Sequence, residues 1–495
     1  MNKLLLKDLS RNVSSLRKKL IIGVIILAGA ALFSLLFVKV GIAGAVVFAA
    51  LLVTAVLSVF IFRNPEFGWF LIVFFLPFER VPTMNFAGVD LKINTVLGFL
   101  TLFAWILALM FNSKKYKVQP YAIAIPIVLY ISAMLVSLAV AGNFSRAISV
   151  LVFTLFTIAL SVLTVNMVHS KELLKKTLQI IFLTSLVVSL FGLFQFGGSL
   201  IGLPDSAVLL KVGYGANMMG FPRIMAFSME PLYLANFLLI PISLGLAFFF
   251  NKINTSTALE ASNKSQWKLI SFLILMLIVL VLTVSRGAYL GFLAAFLVLA
   301  LFFFRKIFTW KNLAIFIVSI IVIGYATAFG LSKGDPQATN NFITHVLVRD
   351  YAKSASVQER LTSYTYAWIA YKEKPTLGVG IGNYGPWLTY FAPEPPKGGW
   401  LVVNNEFLEI LAETGLVGLI TFSVLLIVLI YRSILAIKHA EDRFLKSVMI
   451  GLFAAFVGVL VQYNFFSTLY IIHVWVLIGL MVATQTLIFK NDDGK

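Results

Sequence analysis

The stretch NNEFLEILAETGLVG, Asn404 to Gly418, is where a long polar segment runs back into an apolar one, LITFSVLLIVLIYR, which follows it directly. Glu406, Glu409 and Glu413 lie at helical spacing ahead of the glycines at 415 and 418. Asn404 suits a helix cap, and Glu406 in the first turn suits the helix dipole. Asn405, Glu409 and Glu413 fall at i, i+4 and i+8, so they form one polar stripe. Phe407, Leu408 and Leu411 take the other face. A polar stripe that enters so long an apolar run implies a membrane edge.

The rest of the chain agrees. Of 495 residues, 60% are apolar and only 12% are charged, about half the usual share of a soluble domain. Mean hydropathy is +0.98. The apolar runs are too long and too many for a soluble core, and no series of alternating ten-residue strands appears. The expected fold is an all-α integral membrane protein, a single polytopic domain over 1–495. About fourteen spans (12–14) are expected, with cores at 20–38, 41–62, 67–78, 93–111, 119–141, 147–167, 177–197, 230–250, 269–284, 287–304, 312–330, 412–431, 445–463 and 468–489. The third is short and ends at Pro77. The basic N-terminus before Leu20 reads as the flank of an uncleaved first helix.

Orientation follows from charge. With the N-terminus inside, the inner segments hold 25 of the 39 lysines and arginines. They include Lys114, Lys115 and Lys117, then Lys171, Lys175 and Lys176, then Arg305, Lys306 and Lys311. This bias places both termini in the cytoplasm. The net charge of +19 therefore reflects loop topology, and nucleic acid is not an expected partner. Cysteine is absent, which excludes a disulfide framework and a thiolate metal site. The ligand set is too sparse to suggest a metal or another cofactor.

Two outer segments are long: 198–229, and the large loop 331–404. In the second, Ser356 and Glu359 form a capping-box pattern. Val357, Leu361, Tyr364, Trp368 and Tyr371 then recur at helical spacing, and Pro375 ends the run. An amphipathic helix on the outer face is expected. It carries Arg360, which either faces a substrate or pairs with Glu359. Beyond it, PTLGVGIGNYGPW (375–387) has glycines at 378, 380 and 382. No Walker lysine-serine follows, so a turn packed on the membrane surface is the better reading than a nucleotide loop. Earlier in the chain, GFPRIMAFSMEPLYLANF (220–237) carries Arg223 and Glu230, with Pro231 opening a helix. Arg223 either meets an anionic group or snorkels to headgroups; Glu230 either binds substrate or caps. TVSRGAYLG (283–291) puts Arg286 at a tight turn between two apolar runs, where an arginine is costly unless paired or wet. Guanidinium suits bidentate phosphate contact. Of the histidines, His345 and His473 fall on the outer side, and a histidine inside a span is usually bonded to a neighbouring helix.

TVSRGA at 283–288, Arg360, PTLGVGIGNY at 375–384 and NNEFLEILAETGLVG at 404–418, in this order, resemble the O-antigen ligase and polymerase family. The resemblance covers the C-terminal half specifically. It implies a glycosyltransferase acting on glycans carried by a polyprenyl diphosphate, with outer-face arginines handling the diphosphate. That role carries over to Arg286, and also to Arg223 and Arg360. Ligases of the family begin the last motif with His-Asn or His-Ser, where this chain has Asn404. An amide does not accept a proton at neutral pH, so a histidine-base mechanism does not transfer. Glu230, Glu406 and Glu409 are the carboxylates nearest to that role.

The resemblance thus implies a polysaccharide polymerase in the cytoplasmic membrane, or alternatively a ligase that moves a finished glycan to a lipid or protein. Catalysis is expected from Arg286, Arg360, Asn404 and Glu406, and substrate binding from Arg223, Glu230, Asn405 and Glu409. Expected partners are the lipid-linked glycan donor, the glycan acceptor, membrane lipids, a flippase and a chain-length regulator. A lipid-linked glycan transporter is a third reading, but the spans are nearly free of charge.

Overall fold

The computed structural model describes residues 42–80, 83–86, 89–112, 116–215, 221–251, 263–307, 318, 355–391, 401–467, 469 and 471–492. The chain divides into two compact units, Met1–Phe67 and Gly68–Lys495. Described in the first is α1 (Ile42–Arg63). A short helix α2 (Pro65–Phe74) leads into the second unit. There follow a hairpin, β1 (Thr83–Phe86) and β2 (Val89–Lys92), and the helices α3 (Ile93–Phe111), α4 (Ala124–Ser137), α5 (Phe144–Met167), α6 (Lys171–Leu200), α7 (Pro231–Asn251), α8 (Asn263–Leu282) and α9 (Arg286–Ile307). The last five are α10 (Ala355–Glu373), α11 (Tyr384–Phe391), α12 (Glu406–His439), α13 (Arg443–Gln462) and α14 (Ile472–Asp492).

The fold is that of an all-α multi-pass membrane protein. Eight of the described helices are long and apolar enough to cross a bilayer: α3, α5, α6, α7, α9, α12, α13 and α14. Shorter apolar helices cover Leu52–Arg63, Pro65–Phe74, Ala124–Val140 and Gln266–Leu282. The expected cores 20–38 and 312–330 lie outside the described residues. The hairpin was not expected; it pairs Thr83 with Lys92 and Phe86 with Val89 in antiparallel register.

Helix α2 has 10 residues, about half of what a crossing needs. Its course along α6 shows how so short a piece still covers distance. Trp69 Nε1 donates to Thr177 Oγ1 at 3.1 Å, and Thr184 Oγ1 donates to the Phe74 carbonyl at 3.0 Å. Beyond the helix, Ser228 Oγ donates to the Pro77 carbonyl at 3.1 Å. The segment thus rises from the second turn of α6 to the loop beyond its far end.

The centre is built by α7, α13 and α14, whose apolar windows are 78, 72 and 83% buried. Helix α13 packs on α7 and α9, α14 on α5, and α12 on α4. Helices α3 and α12, at 33%, leave Phe99, Phe103, Ile420 and Ile427 exposed, as lipid-facing surfaces require. Through this centre runs a chain of buried polar side chains. Glu79 Oε1 lies 3.4 Å from His473 Nδ1. His473 Nε2 bonds Asn236 Oδ1 at 2.6 Å, and Asn236 Nδ2 donates to Gln462 Oε1 at 2.6 Å. His473 is therefore bonded to neighbouring elements, as expected of it.

The two ends of the bundle differ. At one end Lys171 pairs with Asp442, Asn251 Nδ2 donates to Ser447 Oγ at 2.7 Å, and Lys490 Nζ donates to Gln119 Oε1 at 2.8 Å. Lys175, Lys176, Lys438, Arg443 and Lys446 belong to the helix ends gathered there. The other end gathers the loops of the candidate site.

Candidate active site

The loops at that second end are fastened by hydrogen bonds that the sequence does not announce. Gln195, near the end of α6, binds the 209–226 loop with both ends of its amide. Its Oε1 accepts from Ala226 N at 2.8 Å, and its Nε2 donates to the Leu209 and Ala226 carbonyls at 3.1 and 3.2 Å. Arg80 also donates to the Leu209 carbonyl, and Arg80 N donates to the Phe227 carbonyl at 2.9 Å. Ile224 N donates to the Leu282 carbonyl at 3.3 Å, which ties the Arg223 segment to the turn before Arg286. In that turn Val284 has φ +47°, an uncommon conformation for a β-branched residue. Phe221 packs against Val284 and holds the turn in place.

Arg223 is thereby fixed at the rim. Its N–H donates to the Tyr214 carbonyl at 2.8 Å, and its guanidinium sits 5.4 Å from the centre of the Tyr214 ring. No described group accepts from its buried Nε. Burial pushes the Arg223 guanidinium below its usual value; Tyr214, Tyr289 and Glu230 oppose that shift, and the nearby Arg360 cation adds to it. The Arg360 charge thus reaches Arg223 from a segment 137 residues away in sequence. Glu230 is the carboxylate in reach, and it lies 3.6 Å from Lys211 in a half-exposed pair. Its backbone carbonyl accepts from Tyr233 and Leu234 at the start of α7, so it also takes the capping position. No described ion pair joins Arg360 to Glu359.

Arg286 is the first residue of α9, three positions before Tyr289 and hence on the same side of the helix. The Tyr289 phenol feels the Arg223 charge and donates to the Val281 carbonyl at 2.6 Å. A Cβ on Gly287 would sit 3.1 Å from the Phe465 side chain, so α9 approaches the 463–471 connection closely.

Helix α10 brings Arg360 in. Its described residues are Ala355–Glu373. Its packing face differs from the expected stripe. Leu361 and Trp368 are exposed, whereas Val357, Ala367 and Ala370 are buried. Alanines let the backbone of α10 lie close to its neighbours, and Tyr364 reaches out from there. Tyr364 Oη donates to the Asn464 carbonyl at 2.7 Å and lies 3.3 Å from the Asn404 carbonyl. Tyr364 is one turn after Arg360, on the same face.

The cap of α12 is Asn405, not Asn404: its side chain accepts from Leu408 N at 3.1 Å. Asn404 stands just before the cap at φ +60°, a conformation in which asparagine is enriched. The polar stripe is not a wet face. Glu406 and Glu413 are buried, and the Glu406 N–H donates to the Tyr463 carbonyl at 2.8 Å. Glu409 Oε2 accepts from Val403 N at 2.7 Å. Glu413 accepts from Gly382 N at 2.7 Å and from Tyr384 N at 3.0 Å, so it caps α11 from another helix. These bonds are what buried carboxylates require.

The glycine-rich run is a buckle around the same helix. Gly378, Gly380 and Gly382 all have positive φ. Val379 N and Gly380 N donate to the Ala412 and Glu413 carbonyls, both at 2.9 Å. Opposite them, α12 kinks at Gly415 (φ +64°, ψ −163°), and Leu416 N donates to the Pro375 carbonyl at 2.8 Å. A Cβ on Gly415 would fall on the Thr376 carbonyl, and one on Gly378 on the Glu413 carbonyl. The run packs as a turn against α12.

The structure thus joins Arg223, Arg360, Glu230 and the tyrosines around them, with Arg286 at the adjoining helix start. Asn404 and Asn405 lie where Tyr364 ties α10 to α12. Glu409 is engaged by backbone. Sequence reasoning gave no role to Tyr364 and Tyr289, though both stand in stretches it singled out, and it missed Lys211 and Asn464, which stand in no motif. Among the described residues, no group of three or more metal-ligating side chains occurs.

The arrangement is a multi-pass helical bundle with arginines among its loops. Residues 271–423 match the family model described as O-antigen ligase, which implies an enzyme of the glycosyl-transfer type. The match includes Arg286, Arg360 and the 375–384 and 404–418 motifs, and the family implies lipid-linked glycan substrates. No individual curated protein matches the chain.

Proposed function

We propose that this protein is a polysaccharide polymerase of the cell membrane, with both termini cytoplasmic and the arginine cluster on the outer face. The donor is a glycan on a polyprenyl diphosphate, and the acceptor is a sugar hydroxyl of a second lipid-linked unit. The hydroxyl oxygen bonds to the anomeric carbon as the bond from that carbon to the diphosphate oxygen breaks. The diphosphate leaves with the electron pair, and the hydroxyl proton passes to Glu230 or to the leaving group. Arg223, Arg360 and Arg286 stabilise the charge that builds on the diphosphate.

The observation that carries this reading is the excess of cations. The Arg360 charge reaches Arg223 and disfavours its charged form, and the carboxylate near Arg223 already has Lys211. Such a site is completed by a doubly charged anion. The test is transfer in proteoliposomes supplied with a lipid-diphosphate-linked repeat unit. Arg223→Ala should lower polymer formation by about 100-fold or more, with an unchanged circular dichroism spectrum. Polymer yield like that of the wild type would overturn the reading, as would movement of the lipid with no new glycosidic bond.

The description of the matching family model favours a second reading, a ligase. Cells lacking the protein separate the two. Single repeat units on carrier lipid point to a polymerase, and long chains on carrier lipid point to a ligase.

A further inference from the structure

A pocket of about 800 Å³ opens on the other side of the body formed by α10, α11 and the start of α12, within the size range of small-molecule sites. One wall is the α4–α5 connection and the first turns of α5, with Asn143, Ser145 and Arg146; the other includes Lys374, Trp387 and Tyr390. Among the described residues two cations line it, and no carboxylate does. The 24-residue helix α5 adds the positive end of its dipole. Arg146 also serves the buried acids behind it, since its charge reaches Glu409 and Glu413. Lys374 is exposed at the mouth.

The remaining lining mixes amide, hydroxyl and aromatic groups with Val140, Val379 and Pro386. Tyr390 is 86% exposed, a ring free to stack, and Trp387 is held beneath by stacking on Phe391 at 4.5 Å and by a bond from its indole N–H to Glu373 at 3.0 Å. The walls are joined by Asn383, whose Oδ1 accepts from Asn143 N at 2.6 Å, so the pocket is built and not a gap between loose loops. Polar groups beside aromatic faces suit a sugar ring. Trp387, Val379 and Ala412 pack in one cluster that Tyr364 and Leu408 join. One packed cluster therefore links a wall of the pocket to Tyr364, one turn from Arg360.

We infer that this pocket is a second glycan subsite, selective for an acidic sugar residue. It rests on the glycan-transfer reading above: a chain whose reacting end lies at the arginines is held by an acidic sugar further along. A carboxylate or phosphate on the sugar meets Lys374 and Arg146, and its ring lies against Tyr390.

The test is calorimetric titration of the full chain in detergent with a glucuronate-containing tetrasaccharide and with its carboxyl-reduced, neutral counterpart. The acidic sugar should bind, the neutral one about tenfold more weakly, and Lys374→Gln should weaken the acidic sugar by about tenfold. Because Lys374 is exposed, this variant keeps the fold; Tyr390→Ala, equally exposed, should weaken both sugars. Equal binding of the two sugars, or binding that Lys374→Gln leaves unchanged, overturns the subsite. Displacement of the acidic sugar from the wild type by short-chain phosphatidylglycerol at equal concentration assigns the pocket to a lipid headgroup and also overturns it. Arg223→Ala, assayed for transfer in parallel, keeps the readings apart. Normal transfer by that variant sinks the catalytic reading, whereas a failed titration beside a lost transfer sinks the subsite alone.

Discussion

Glu413 shows how a residue of a polar stripe turns out to have structural work. Its spacing from Asn405 and Glu409 suggested a stripe running into the membrane edge. Instead its two oxygens take the amides of Gly382 and Tyr384. Replacing it by alanine leaves two buried N–H groups unsatisfied, each costing roughly 1–3 kcal/mol. Glu413→Ala should therefore lower the thermal midpoint of the purified protein by several degrees, and Glu413→Gln, which keeps one acceptor, by less. Equal midpoints for both variants and wild type would refute the capping role. Asn404 carries the opposite lesson. Its place in the motif drew attention as a substitute for histidine, yet φ +60° gives asparagine a reason to be there without any proton transfer. Such facts depend on backbone angles and on partners about thirty residues away, which spacing alone does not contain.

Among elements, α10 decides whether a site exists. It joins α12 and the 463–471 connection through one phenol, Tyr364, one turn from Arg360. Tyr364→Phe removes that link while preserving the ring. It should cut transfer severalfold, chiefly as a raised KM for the lipid-linked donor, at a stability cost of about 1 kcal/mol. An unchanged KM would mean that Arg360 is held in place by other contacts. Most of the elements could be read in the sequence because long apolar runs and prolines are strong signals: Pro231 opens α7 and α10 stops before Pro375. The packing face of α10 could not. Val357, Leu361, Tyr364, Trp368 and Tyr371 keep helical period, but a bilayer beside the helix gives Leu361 and Trp368 somewhere to go besides the core. Period alone does not separate a lipid-facing stripe from a packed one when both are apolar.

At the scale of the molecule, the two ends of the bundle carry different chemistry. Lysines and arginines of the helix ends collect around Asp442, and the arginines of the candidate site collect at the loops opposite. The absence of cysteine makes the orientation directly measurable. Tyr390→Cys should react with an impermeant maleimide on intact spheroplasts, and Lys438→Cys only after permeabilisation. The reverse pattern would invert the proposed topology and remove the outer-face site with it. The buckle between the glycine-rich turn and the kink at Gly415 bears on how such a protein is made. The ribosome delivers the chain from its N-terminus, so the amides of Gly382 and Tyr384 emerge about thirty residues ahead of Glu413. When the second half of the clasp leaves the exit tunnel, its receiver is already in existence. A carboxylate that has to come to rest beside lipid then need not wait there undressed for a partner still to be synthesised.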